Sequence, residues 1–350
     1  MEPCTHALEG SLVITPAELD AKALSAEHLR QAALLLHTRG YVILKGAMPL
    51  LIAHAAQDEF ARIFQDCVAS KEGDGWYQVA RETQAVFWER NFRWRIFPKL
   101  RGTFSDAWIV ANPLAMQVVN HLLGSELYCK FVSSDTCLKG AVIQSPHREL
   151  GSGDQWSPRA YVVNVPLVHC GLENGPLEVW YTGSHLWRNE VLRGLSYDDD
   201  VQDGRNPQAE ELAALFPSRR VVLELGDVLI RDPGLLHRGT VNFTDDPRSM
   251  LTVCLMRQGE SHSYGEATYS LDREMWQALD PAVQPLFAHA FREPEPVTPA
   301  ELPAPASAPT PSPRETKKPA KEKASGNKKE KTLKAKPRRG LRAWWPWTRG

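Results

Sequence analysis

The chain is 350 residues long, 43% hydrophobic and 24% charged, an ordinary globular composition for one large domain or two small ones. No run of eighteen apolar residues occurs, and MEPCTHALEGSLVITP has an acidic second residue and no apolar segment, so neither a membrane span nor a secretory leader is expected. The net charge of −1 hides an asymmetry: residues 314–349 hold fourteen Lys or Arg against three Glu, a charge of +11, which leaves −12 elsewhere.

In chain order, residues 17–38 carry apolar side chains at helical spacing, and Gly40 closes that helix. YVILKG then reads as a short apolar strand, and residues 50–70 as a second helix. From 75 to 108 the pattern is irregular and aromatic, and 112–124 forms a further helix closed by Gly124. Beyond 126 short β runs dominate: LYCKFVSS, CLKGAVIQ, RAYVVNVPLV, GPLEVWY, RRVVLELG, DVLIRD and MLTVCLMR, separated by Gly, Pro and Asp. Such punctuation predicts a sandwich or barrel. The stretch 188–212 is too polar for a core element and reads as a lid or insertion. Residues 262–290 are mixed and partly helical. The expected organisation is a body over 1–292 (helical 1–125, β-rich about 126–260, helical 261–292), a Pro/Ala linker over 293–313 and a disordered basic, Trp-rich tail over 314–350. The six cysteines Cys4, Cys67, Cys129, Cys137, Cys170 and Cys254 form no CxxC pair, so they are expected to be reduced, mostly buried thiols of a cytoplasmic protein.

The chemistry-bearing pattern is His147-Arg148-Glu149, with His237 ninety positions later and Arg248 eleven beyond that. On a strand, residues i and i+2 share a face, so an extended QSPHRE presents His147 and Glu149 together. Two neutral imidazoles and one carboxylate on one face of a metal are the ligand set of non-haem Fe(II) oxygenases. An arginine nearby offers a planar, permanently charged fork for a carboxylate. His169 and His185 compete as ligands; His185, in TGSHLW, better suits a turn or a supporting hydrogen bond. The bland alternative is chance, because eleven histidines are available.

Three further stretches carry a resemblance. YVILKG, ENGPLEVWYTGSHLW (173–187) and LELGDVLIRDPGLLHRGTVNFTDDPRSML (223–251) resemble, in order and spacing, the N-terminal strand, NGPL…PGSH signature and distal block of the phytanoyl-CoA dioxygenase family, over roughly residues 40–257. The resemblance implies a mainly β protein with flanking helices around a double-stranded β-helix, or jelly roll. It implies that His147, Glu149 and His237 ligate Fe(II), and that Arg248 binds the distal carboxylate of 2-oxoglutarate. Asn164, Thr240 and Gln144 fall where co-substrate or pocket contacts are expected, although the usual serine position is Gly239 here. The implied reaction uses O₂ to convert 2-oxoglutarate to succinate and CO₂ and to hydroxylate an aliphatic C–H bond. One departure is plain: the family pattern is HxD and this chain has HxE. A carboxylate is retained, which disfavours halogenation, since a halogenase needs that position vacant. The alternative is a catalytically impaired jelly-roll binding protein that keeps the pocket.

Two features bear on the substrate. Trp76, Trp88, Trp94 and Trp108 alternate with Arg81, Arg90, Arg93, Arg95 and Arg101. They form either a packed helical layer with solvated arginines or a pocket wall for an anionic or sugar-bearing substrate. The Lys-rich tail ends in Trp344, Trp345 and Trp347, a two-signal pattern for an anionic membrane face on the cytoplasmic side. A merely solubilising tail is the alternative, and nucleic acid is not the expected partner. These features favour a lipid-linked substrate, a glycolipid included, with a soluble small molecule still open.

Overall fold

The computed structural model describes residues 10–73, 77–149, 159–187, 207–260 and 271–291. The strands are β1 (Ser11–Val13), β2 (Tyr41–Lys45), β3 (Gln78–Val79), β4 (Val86–Arg90), β5 (Arg93–Phe97), β6 (Leu127–Cys137), β7 (Ala160–Pro166), β8 (Leu177–Val179), β9 (Arg219–Val221), β10 (Val228–Arg231), β11 (His237–Gly239) and β12 (Arg248–Arg257). The helices are α1 (Pro16–Ala21), α2 (Ala26–Arg39), α3 (Leu50–Ser70), α4 (Ala107–Val110), α5 (Pro113–Leu123), α6 (Pro207–Ala214), α7 (Arg273–Ala278) and α8 (Gln284–Phe287). The major sheet runs β1-β2-β10-β7-β12-β6-β5-β4-β3, and the minor sheet β11-β8-β9. Only β1–β2 pairs in parallel; every other pairing between these strands is antiparallel. This is the expected jelly-roll-type architecture with flanking helices.

Period-two alternation sorts the central strands into two chemistries. Leu251, Val253 and Leu255 of β12 and Tyr161, Val163 and Val165 of β7 join a core with Leu36 of α2, Phe60 and Ile63 of α3, and Leu114 and Val118 of α5. The intervening Met250, Thr252, Cys254, Val162 and Asn164 face a cavity instead. A one-residue slip would exchange the two faces, so burial of the apolar face fixes the register (Thr252↔Asn164, Val253↔Val163). Each fully buried aliphatic or aromatic side chain of this layer contributes about 1.5–3 kcal/mol. Among the described residues no helix is long and apolar enough to cross a membrane. The five described cysteines are buried thiols.

Three expectations change. Much of the aromatic segment is sheet: β3, β4 and β5 extend the major sheet, β5 pairing with β6 from Arg93↔Cys137 to Ile96↔Ser134, while Gly102–Ser105 form a 3-10 turn and Trp108 lies in α4. Alternating large side chains (Phe87, Trp94, Ile96) make it a half-buried sheet rather than a helical layer. Beyond Cys137, which ends β6, CLKGAVIQ is not a strand, because the chain leaves β6 in a turn (Ala141 N–H to Leu138 O, 3.1 Å) at Gly140, whose φ is +94°. Of the polar 188–212 stretch, residues 207–212 belong to α6, which buries Ala209 and Ala213; 188–206 lie outside the described residues, as do the linker and the tail.

Candidate metal centre

The segment 145–149 runs antiparallel to the chain entering β11. His147 N–H donates to His237 O (2.8 Å), His237 N–H to His147 O (3.0 Å), and Glu149 N–H to Pro233 O (2.9 Å). This pairing places His147 and Glu149 on one side, opposite His237, as the i, i+2 spacing requires. The turn before β11 is held by Asp232, whose Oδ1 accepts from Gly234 N–H at 2.7 Å.

One donor atom from each of His147, Glu149 and His237 lies within 4.8 Å of the others. Their protonation follows from their neighbours. His147 Nδ1 is 2.9 Å from Ser145 O and His237 Nδ1 is 2.8 Å from Leu235 O, so each ring carries its proton on Nδ1 and turns a lone pair on Nε2 inward. Burial pushes the His147 imidazolium down to about 4, with His237 adding to the effect. Burial, with Arg231 beside it, lowers His237 as well. Burial alone would raise Glu149, but the Arg231 charge opposes it, and the carboxyl is held well below its usual range. Glu149 Oε1 thus faces the His237 Nε2 lone pair at 3.3 Å, and Glu149 Oε2 is buried with no hydrogen-bond partner. Lone pairs converging in a buried space repel one another, and a cation placed among them removes the conflict. The residues therefore fit a divalent metal, and this donor set fits iron(II).

The cavity beside the centre measures about 140 Å³. The major sheet supplies Arg93, Arg95, Asp135, Asn164, Thr252 and Arg231, and the minor-sheet side supplies Leu177, His237 and Gly239. Asn164 lines it as expected: its Nδ2 donates to Thr252 Oγ1 (2.9 Å) and its Oδ1 accepts from Arg231 Nε (3.2 Å). Arg231 Nη2 in turn reaches Glu149 Oε1 at 3.2 Å. The chain Asn164–Arg231–Glu149 thus orients the carboxylate. Gln144 also lines the cavity, and its Oε1 accepts from Gly239 N–H at 2.8 Å.

Arg248 and Thr240 sit beside the residues that line the cavity, Arg248 against Asp135 and Thr240 next to Gly239. Arg248 is 1% exposed; its Nε donates to Gly175 O (2.9 Å) and its Nη1 to Asp135 O and Oδ2 (both 3.1 Å). Asp135 is the wall residue in front of it, and Arg248 and Arg93 hold its carboxyl below the ordinary range against the effect of burial. Thr240 Oγ1 donates to Pro176 O at 2.7 Å, which commits its proton away from the cavity. His185 is buried against Gly40, with Nε2 3.1 Å from His37 O, and His169 pairs with Glu224 at 2.7 Å on the surface; neither joins the centre.

Sequence reasoning did not single out Arg231 and Asp135. Arg231 ends an apolar run and looks like a solvated strand terminus, but β10 lies between β2 and β7, where its side chain is buried. Asp135 is the one acidic residue on β6, on the same face as Ser133, a signal legible only once the register is known.

A family model described as phytanoyl-CoA dioxygenase matches residues 36–250. Among solved structures, the chain is similar to EvdMO1 (17% identity, 66% of this chain and 50% of that one, TM-score 0.46). It is also similar to AviO1 from Streptomyces viridochromogenes Tue57 (14%, 68% and 99%, 0.48). EctD from S. alaskensis with bound Fe matches at 19% identity over 67% and 77% of the two chains (0.46). The chain thus spans about half the length of EvdMO1 and most of the other two. The family model covers more than half of the 350 residues, and the chain belongs to the phytanoyl-CoA dioxygenase family of non-haem iron(II)- and 2-oxoglutarate-dependent enzymes.

Proposed function

We propose that this enzyme hydroxylates an aliphatic C–H bond of a small-molecule or lipid-linked substrate, glycolipids included, with His147, Glu149 and His237 as the iron ligands. The observation that carries the reading is the convergence of three lone-pair donors, two buried histidines and the half-buried Glu149, on one side of an otherwise cation-rich cavity. When bound, iron(II) with 2-oxoglutarate would direct O₂, the oxidant, at an unactivated C–H bond, one oxygen atom going to the product and one to succinate, with CO₂ released. The chain's own residues do the rest. Ser145 O and Leu235 O fix both imidazoles in the ligating tautomer. Arg231, steadied by Asn164, keeps Glu149 ionised and aimed. The cation-rich side around Arg93, Arg95 and Arg248 suits the second carboxylate of a dicarboxylic acid.

The test is anaerobic addition of Fe(II) and 2-oxoglutarate to purified protein. A weak visible charge-transfer band marks bidentate chelation at the centre. Succinate release, screened against lipid extracts and small metabolites, then identifies the substrate class. One observation favours a second reading: the 3.2 Å Glu149–Arg231 ion pair competes with a metal for the carboxylate. A folded protein without the band would then be a jelly-roll binding protein that keeps the pocket.

The reading extends to residues 314–350, which lie outside the described residues. Their basic run and three tryptophans support docking on an anionic membrane face at the cytoplasmic side, beside a lipid-linked substrate.

A further inference from the structure

We propose that Lys130 binds an anionic group, a carboxylate or a phosphate monoester, on the substrate that is hydroxylated; this rests on the function proposed above. Neighbouring residues of a regular strand point to opposite faces, yet Lys130 and Phe131 both line the cavity. The ladder between β6 and β12 explains this. Phe131 pairs with Cys254, but the next pair is Cys129 with Leu255, so Lys130 is an extra residue with no counterpart on β12. A bulge of this kind re-aims a side chain and is common beside active sites. Here it turns Lys130 to the cavity while Cys129 and Val132, which flank the pair, stay in the main core.

Position separates Lys130 from the cations expected to meet the co-substrate. Arg231 pairs with Val162, Val162 with Cys254 and Cys254 with Phe131, so these four form one row across the sheet. From that row Arg231 reaches the ligand Glu149. Arg93 and Arg248 lie in the Cys137 row, on one side of it. Lys130 lies on the other side, about 23 Å from Cys137 along the strand. A five-carbon diacid spans four C–C bonds of about 1.5 Å each and cannot serve both ends. Charge points the same way. Arg90, Arg93, Arg95, Lys130 and Arg231 line the cavity against Asp135 and Glu149, a surplus of three positive charges among the described residues. A divalent metal and a dianionic co-substrate cancel, which leaves that surplus for the substrate. Lys130 is 8% exposed, and burial pushes its ammonium below the ordinary lysine range. An anion beside a buried ammonium offsets the cost of its burial. Phe131, Val162, Cys254 and Met256 form an apolar cluster on the same part of the wall, which suits an aliphatic segment. The substrate class is thus an amphiphilic organic anion.

The experiment measures binding of hexanoate, hexyl phosphate and hexan-1-ol to the full chain loaded with Mn(II). Saturating 2-oxoglutarate keeps the probes out of the co-substrate position. Wild type should bind one of the anions roughly 10- to 100-fold more tightly than hexan-1-ol, the worth of one charge-assisted hydrogen bond. The anion it prefers tells a carboxylate source from a phosphate source. Lys130→Met, similar in size without the charge, should lose the preference while binding Mn(II) and 2-oxoglutarate as wild type does. Its fold should hold, because an apolar side chain replaces a buried charge. Lys130→Gln, neutral but polar, should lose the preference equally, and Lys130→Arg should keep it. No anion preference in wild type, or an undiminished preference in either neutral variant, overturns the inference. A wild type that shows no 2-oxoglutarate-dependent band with Fe(II) overturns instead the function on which it rests.

Discussion

Replacing Glu149 by Gln separates the metal role of the carboxylate from its structural role. In the metal-free protein two effects oppose. The side chain keeps an acceptor for Arg231 but loses the charge, a cost of about 2 kcal/mol for a hydrogen bond between charged groups. Against this, the neutral amide oxygen repels the His237 Nε2 lone pair less than the carboxylate Oε1 that now confronts it at 3.3 Å, which recovers about 1 kcal/mol. The expected net change is about 1 kcal/mol, roughly 2–4 °C in Tm for a domain of this size. Metal changes the picture. At a concentration 100 times its Kd, a metal stabilises the wild type by about 2.7 kcal/mol. Loss of a ligand weakens binding by at least roughly 100-fold, so the same concentration stabilises Glu149→Gln by only about 0.4 kcal/mol. The assay is thermal unfolding with and without Mn(II), in the absence of air and co-substrate. The metal-induced rise in Tm should nearly vanish in the variant while its metal-free Tm stays close to wild type. Equal metal-induced rises in both proteins would refute the assignment of Glu149 as a ligand, and a collapse of the metal-free Tm would show that its work is structural.

Three other outcomes are expected. Metal affinity should stay level between neutral pH and about 5 and fall only as pH approaches about 4, because burial keeps His147 unprotonated down to that range; an inflection near 6.5, the ordinary histidine value, in Mn(II) titrations would show that the imidazoles are not buried as described. Asp232 is pushed up to about 6 by burial, whereas an unfolded aspartate titrates near 3.9, so the folded state binds the proton more tightly and stability should fall as pH rises from about 4 to about 6. That loss is at most about 3 kcal/mol, and Asp232→Asn, which keeps an acceptor for Gly234 N–H, should abolish the slope in urea unfolding. Deleting residues 314–350 should abolish co-sedimentation with anionic liposomes and leave Mn(II) binding unchanged; equal pelleting of both proteins would remove the membrane reading.

Much of this protein was legible in one dimension. Helices end where Gly40 and Gly124 stand, because backbone rules act locally: Gly40 takes φ +78° and leaves only 2.7 Å between an added Cβ and His185 Nδ1. The His147/Glu149 pair was legible because the two-residue period of a strand is itself local. The distal motif with His237 and Arg248 could be aligned by order and spacing alone. Pairing partners were not legible. β5 looked irregular because its role depends on β6, and Arg231 looked exposed because nothing in DVLIRD announces that β2 and β7 flank it. How a guanidinium is held beside the cavity depends on side chains far away in sequence, as Arg248 is held by Asp135, 113 positions earlier. Sequence determined which residues could bear charge and lone pairs, because chemistry belongs to the residue. Only the tertiary structure decided which of them face one another, because burial and desolvation belong to the whole fold.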